Sequence, residues 1–237
     1  MLARMEVVFF YVNRAGDDVL ARIMVDSVRE HMPGVPITQL TDMITGEVPG
    51  VDHVIRRKPE PGIMYFRSCH MAEYRHTAAI FLDHDTVVLK DLSPVFDEPF
   101  DVALTTRKRN LFVDEVPDLI DPHENAADKM PYNMGVIFSR STKLWEDHRL
   151  LHKQTGETGR QWYGEQIALA NLLAAGRYKV KVLPEDYNYS PSMPLENVEN
   201  RAVLHFKGPV RKQWMVQRYK TCIRSMGALK NVDHHTC

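Results

Sequence analysis

Cysteine is scarce in this chain, and long apolar runs are missing. The three cysteines, Cys69, Cys222 and Cys237, are odd in number and far apart, which excludes a cysteine metal cluster and a disulfide framework. No stretch of about eighteen apolar residues exists to span a membrane, and the N-terminus shows no signal-peptide pattern. A soluble, cytoplasmic protein is the expectation. Charge of one sign is lacking too: 30 basic against 31 acidic side chains leave a net of −1, so bulk electrostatics name no partner. There is no internal repeat, no low-complexity linker and no glycine-rich phosphate loop. Phosphates, if bound, must be held by something else, and a metal is the obvious candidate.

The chain does have strand-length apolar runs separated by helical patterns, and 237 residues suffice for one domain with a real core. Residues 6–12 are nearly all apolar, as a central parallel strand requires. Leu20, Ile23, Met24 and Val28 recur at helical spacing up to His31, and Pro33-Gly34 ends that helix. Strands are predicted at 36–40 and 51–55, a β-α-β-β opening of nucleotide-binding style. A helix over 64–76 carries Arg67 and Arg75, with Met64, Met71 and Tyr74 on a core-facing side. Further strands are predicted at 78–82, 86–89, 102–105, 132–139, 178–183 and 202–206, and helices at 143–153, 164–175 and 210–229. Residues 107–130 are charged and aperiodic, the pattern of a lid or binding loop.

One stretch organises the rest: Phe81-Leu82-Asp83-His84-Asp85-Thr86-Val87-Val88-Leu89. An apolar strand delivers two aspartates spaced i, i+2. On an extended backbone these share a side, with Cβ atoms about 7 Å apart. Two carboxylates so placed can share a hard divalent cation. The C-terminal end of such a strand is also where open α/β sheets bind ligands. Three later landmarks follow in order: Tyr132-Asn133-Met134-Gly135-Val136, Glu165-Gln166, and His205-Phe206-Lys207-Gly208-Pro209. Read singly, each has an ordinary structural explanation: a turn, a helix-start acid, a strand-end histidine.

Together, the four landmarks resemble the metal-dependent GT-A glycosyltransferases, most closely the glycogenin and lipopolysaccharide-galactosyltransferase family, family 8. The resemblance implies an α/β, Rossmann-like fold: a mixed, mostly parallel central sheet flanked by helices. It implies one domain over 1–237, with a donor-binding part at about 5–106, an acceptor and loop part at about 107–200, and a basic C-terminal segment at about 201–237. By the same resemblance, Asp83, Asp85 and His205 ligate Mn²⁺ or Mg²⁺. Asp83 also approaches the ribose or sugar. Lys207, Gly208 and Lys212 lie against the diphosphate, and Arg67 faces donor phosphate or ribose. Asn133 and Gln166 face the transferred sugar, and Glu165 stands where the family usually has aspartate. Tyr11 and Asn13, at the end of the first strand, meet the nucleoside base by position alone.

The implied reaction transfers a sugar from a nucleotide sugar, a UDP-sugar by preference, with retention of configuration. No carboxylate nucleophile stands out, which favours a front-face displacement near Gln166. Two other readings stay open: a haloacid-dehalogenase-like phosphatase using Asp83 and Asp85, and a non-catalytic sugar-nucleotide-binding protein. The acceptor is a glycan or another hydroxyl. From Arg201 to Lys230 the chain holds eight cations and no acid, with Trp214 and Tyr219 interleaved. That run points to an anionic acceptor, a lipopolysaccharide core, a phosphorylated glycan or a modified DNA base.

Overall fold

The computed structural model describes residues 5–13, 17–192, 198 and 200–229, with side chains up to residue 219. A seven-stranded sheet forms the centre. Its strands are β1 (Glu6–Phe10), β2 (Ile37–Thr41), β3 (His53–Arg56), β4 (Ala79–Leu82), β6 (Val102–Thr106), β7 (Tyr132–Ser139) and β8 (Val180–Leu183), in the order β3-β2-β1-β4-β7-β6-β8. β7 runs antiparallel to both β4 and β6, and the other neighbouring pairs are parallel. A separate two-stranded ribbon joins β5 (Thr86–Val88) to β9 (Val203–His205).

Alternation along the central strands sends neighbouring side chains to opposite faces. Val7, Phe9, Ile80, Leu82, Val136 and Phe138 pack with α1 (Val19–His31). Val8, Ala79, Phe81 and Ile137 pack with α2 (Ile63–Glu73), α4 (Thr142–Lys153) and α6 (Gly164–Ala174). Trp145 of α4 is fully buried there, and its indole N–H donates to Ser139 Oγ at 2.9 Å, so the large ring costs no unsatisfied donor. The ribbon has its own small core, in which Val87, Leu204 and Phe206 meet Ile23 of α1 and Met215 of α7 (Gly208–Leu229).

The elements match the sequence pattern closely, with differences at boundaries. β1 ends at Phe10 rather than residue 12, and α2 ends at Glu73, where the backbone of Tyr74 turns extended. A short helix, α5 (Gly156–Gln161), lies in a stretch with two glycines and no apolar periodicity to announce it. Residues 107–131 are not structureless. They contain α3 (Ala126–Lys129) and a compact apolar cluster of Val113, Val116, Ile120, Ala126 and Met130, packed against Tyr163 and Ile167.

Beneath α2 and α4 the protein buries several histidines. His70 Nε2 lies 3.0 Å from the Thr41 carbonyl, and His148 Nε2 lies 2.8 Å from the Glu165 carbonyl. Burial holds His70 down to about 4 and His148 down to about 3. An unfolded chain protonates these rings near the ordinary value of 6.5, so it takes up protons before the native state does. Their contribution to stability is complete above about pH 6.5 and falls as pH drops, levelling off near pH 4 for His70 and near pH 3 for His148. Each ring is expected to add about 1.4 kcal/mol per pH unit to that slope. Urea unfolding at a series of pH values checks this, because His148→Gln should lose one ring's share of the slope.

Candidate active site

β4 delivers Asp83 at its C-terminal end. The spacing predicts extended backbone across 83–85, but the chain turns there instead. Thr86 closes the turn, donating to the Asp83 carbonyl from its backbone N–H at 3.2 Å and its hydroxyl at 2.8 Å. The turn is needed because β5 leaves the main sheet to pair with β9. That pairing sets Thr86 opposite His205, and the Phe206 N–H donates to the Asp85 carbonyl at 2.9 Å. His205 Nε2 then lies 3.2 Å from Asp85 Oδ1 and 3.5 Å from Asp83 Oδ2. One ligand atom from each of the three residues falls within 4.8 Å of the other two.

The imidazole is oriented by a chain of hydrogen bonds that starts at a backbone amide. The Gly135 N–H, which can only donate, reaches Asn133 Oδ1 at 3.1 Å. Asn133 Oδ1 also accepts from Asn188 Nδ2 at 3.0 Å, which leaves Asn188 Oδ1 facing His205 Nδ1 at 2.9 Å. An acceptor there keeps a proton on Nδ1, so Nε2, which faces the carboxylates, is the ring nitrogen that can ligate a metal. Gly135 is required for a second reason. A Cβ at that position would lie 2.0 Å from His205 Cε1 and 2.8 Å from Asp83 Oδ2. Two carboxylates and an imidazole Nε2 turned inwards, in a space kept clear by a glycine, fit a divalent cation, and nitrogen among oxygens suits Mn²⁺ better than Mg²⁺.

Fixed charges surround the two aspartates. Arg67, only 6% exposed, sits 3.0 Å from Asp83 Oδ1 and 3.5 Å from Glu165 Oε1, and donates to the Met134 carbonyl at 2.7 Å. Lys212 Nζ lies 3.1 Å from Asp85 Oδ2. Burial is the largest influence on Asp85 and opposes its charge, yet His205, His84 and Lys212 together hold its carboxyl well below the usual range. Glu165 behaves in the opposite way. Burial pushes its carboxyl up to about 7, Arg67 opposes the rise and Asp83 adds to it, while Oε2 has no hydrogen-bond partner among the described residues.

Asp83, Asp85, Arg67, Glu165, Gln166, Gly208 and Lys212 line one cleft of about 600 Å³. Asn133 and Lys207 line a neighbouring cavity instead. Burial, then the nearby Arg107, brings Lys207 down to about 8. Tyr11 and Asn13 sit just beyond β1, with the Tyr11 ring 5.4 Å from His84, its hydroxyl donating to the Asp17 carbonyl at 2.6 Å, and the Asn13 N–H donating to Thr45 Oγ1 at 3.1 Å.

Three residues of the site lie outside the sequence motifs. Asn188 orients His205. Arg107 donates from Nη2 to Gln166 Oε1, which identifies the carbonyl end of that amide because a guanidinium only donates. Trp162, 56% exposed, stands on the cleft lining beside Gln166. Tyr163, which follows it, holds φ at +62° and starts α6 in a left-handed conformation. No local pattern announces Asn188 or Arg107. The Trp162-Tyr163 pair just before Glu165-Gln166 was the one readable signal.

No protein-family model matches the chain, and no curated protein matches it in sequence. Solved structures do match its backbone. The galactosyltransferase LgtC, solved in complex with donor and acceptor sugar analogs, aligns with a TM-score of 0.62 at 17% identity, over 93% of this chain and 96% of LgtC. The glycosyltransferase GlyE of Streptococcus pneumoniae aligns at 0.58 and 15% identity, over 98% of this chain and 66% of GlyE. The bifunctional glycosyltransferase WbbM aligns at 0.56 and 12% identity, over 95% of this chain and 52% of WbbM. The chain has the GT-A fold. Its mostly parallel sheet, with Asp83 at the end of a central strand, is the GT-A architecture that the motif order implied.

Within this GT-A site, Asn188→Ala removes the acceptor that fixes the His205 tautomer. The variant is expected to weaken Mn²⁺ binding by about 10- to 100-fold. Calorimetric titration of Mn²⁺ measures this, with thermal unfolding to show that the variant remains folded.

Proposed function

We propose that the chain is a metal-dependent glycosyltransferase of family 8 type, transferring a sugar from a UDP-sugar to a hydroxyl acceptor with retention of configuration. The observation that carries this reading is the convergence of His205 on Asp83 and Asp85, the two aspartates lining a cleft in a GT-A fold. These three would hold Mn²⁺ or Mg²⁺. When bound, the cation supplies positive charge that offsets the charge growing on a departing diphosphate.

The chain's own groups supply the rest. Gly208, with φ at +80°, opens α7 on the cleft lining, and a helix start there, though Pro209 carries no N–H, suits phosphate oxygens. Lys212, on the same helix, adds a point charge. Lys207 adds another from the adjoining cavity. Arg67 is committed to Asp83 and Glu165, and in this reading it balances the buried carboxylates and holds Asp83 in position beside the donor. Because Arg107 takes the Gln166 carbonyl, the Gln166 amide N–H groups are left for the transferred sugar or the departing oxygen. An amide in that place, with Glu165 paired to Arg67 behind it, favours front-face displacement over a covalent glycosyl-enzyme. Tyr11 and Asn13 would bound the nucleoside end. Residues 5–106 would then bind the donor and 107–200 shape the acceptor side, with α7 closing the metal site.

A ligand that binds only the native state stabilises it by about 2.7 kcal/mol at a hundred times its Kd. For a chain of this length that corresponds to a rise in Tm of roughly 5–10 °C. UDP with Mn²⁺ is expected to produce such a shift. UDP alone should give much less, and Asp85→Asn should abolish the metal-dependent part. Differential scanning fluorimetry across nucleoside diphosphates, with and without Mn²⁺, is the measurement. No metal-dependent shift with any of them would remove the reading.

A further inference from the structure

The cavity beside the cleft has a composition that the donor side explains only in part, because Lys108 and Arg109 have no role there. It measures about 160 Å³, and four cations, Arg107, Lys108, Arg109 and Lys207, share its lining with a single acid, Glu185. None of the four forms an ion pair with a described residue. By contrast, the basic C-terminal run is largely spoken for where it is described. Arg201 pairs with Asp186 and stacks on Tyr189, Lys212 pairs with Asp85, and Arg211 donates to the carbonyls of Pro191 and Lys207. Lys220, Arg224 and Lys230 of that run have side chains outside the described residues. Lys207 and Arg218 are the described cations of that run with neither an ion pair nor a carbonyl partner among the described residues, and Lys207 joins residues 107–109 to put four cations without an ion pair on one cavity.

The cavity also adjoins the reaction centre. Arg107 lines it while donating to Gln166 of the cleft, and Asn133 and Asn188, which orient His205, form another wall. With Arg107 Nε on the Met130 carbonyl and Nη2 on Gln166, its Nη1 edge makes no bond among the described residues. Thr105, Thr106, Asn110 and Ser190 add neutral hydrogen-bonding groups suited to sugar hydroxyls. The lining includes no aromatic residue, whereas single-stranded nucleic acids are held by stacking platforms along an extended basic groove. The volume suits one sugar unit.

We propose that this cavity is the acceptor subsite and that the acceptor is an anionic sugar, a phosphorylated or carboxylated monosaccharide unit, whose anionic group is held by Lys108 and Arg109. The inference rests on the glycosyltransferase reading and narrows its acceptor. Guanidinium and ammonium groups together match the oxygens of a phosphate or carboxylate. In the transfer, the acceptor oxygen bonds the anomeric carbon, and the bond to the diphosphate breaks with its electron pair going to the diphosphate oxygen. The hydroxyl proton passes to the departing phosphate.

The test is calorimetric titration of the full chain, loaded with UDP and Mn²⁺, by glucose, galactose and mannose, by their 6-phosphates and by their uronic acids. At least one anionic sugar is expected to bind ten or more times tighter than its neutral parent, with the phosphate and uronate arms identifying the anion. The double variant Lys108→Gln, Arg109→Gln is expected to lose that preference while its UDP–Mn²⁺ affinity stays within twofold of wild type. Equal binding of neutral and anionic sugars overturns the proposal, as does an unaffected double variant. Weakened UDP–Mn²⁺ binding in the variant assigns the cavity to the donor and overturns it. Salt-sensitive binding of a single-stranded DNA oligonucleotide that depends on these two residues overturns it in favour of nucleic acid. Failure of the wild type to bind UDP–Mn²⁺ removes the glycosyltransferase reading itself, whereas intact UDP–Mn²⁺ binding without an anionic preference removes this inference alone.

Discussion

Pairing of three residues with three, Thr86–Val88 against Val203–His205, is the constraint on which the candidate site depends. Without the ribbon, Asp83 and Asp85 would be two like charges at a strand end, with every reason to turn apart. With it, an imidazole from the far end of the chain is set against both. α7 follows at once, carrying Gly208 and Lys212 to the same place. The ribbon is held by Val87, Leu204 and Phe206, buried with Ile23 and Met215. The polar site is thus positioned by an apolar core that touches none of its chemistry.

Orientation is settled by groups with no freedom of choice. A backbone N–H at Gly135 can only donate, and each amide after it inherits its direction until the last sets the tautomer of His205. Arg107 does the same for Gln166 from the other side. Donor-only groups at the ends of polar chains give one arrangement rather than several, which is what a preorganised site requires.

Much of the fold was readable because burial writes itself into the sequence as period. The runs at β1, β4 and β7 had to be apolar on both faces, and α1 shows its buried stripe. The first motif was readable because its residues act within a few positions of one another: Asp83 and Asp85 converge and Thr86 locks the turn. His205 was readable by its place before Lys207-Gly208, and Gly135 because nothing larger fits under the imidazole. Asn188 was hidden. It works through space from an irregular stretch, and an asparagine there looks like any loop residue. Arg107 was hidden for the same reason, and α5 because a short helix with two glycines has no period to show. The basic C-terminal run reads as one surface feature in sequence, but among its described residues folding sends Arg201 to Asp186, Lys212 to Asp85 and Arg211 to a pair of carbonyls.

The small apolar cluster inside residues 107–131 has a consequence for how such a protein can diversify. Val113, Val116, Ile120, Ala126 and Met130 largely satisfy one another and rest on Tyr163 and Ile167 of the helix that carries Gln166. A segment with its own core can exchange its exposed residues with little disturbance to the sheet, the ribbon or the aspartates. On the proposed glycosyltransferase reading, variation in the acceptor would thereby be uncoupled from the residues that hold the donor. A lineage built on this frame can change partners by rewriting one surface excursion while its reaction centre stays the same.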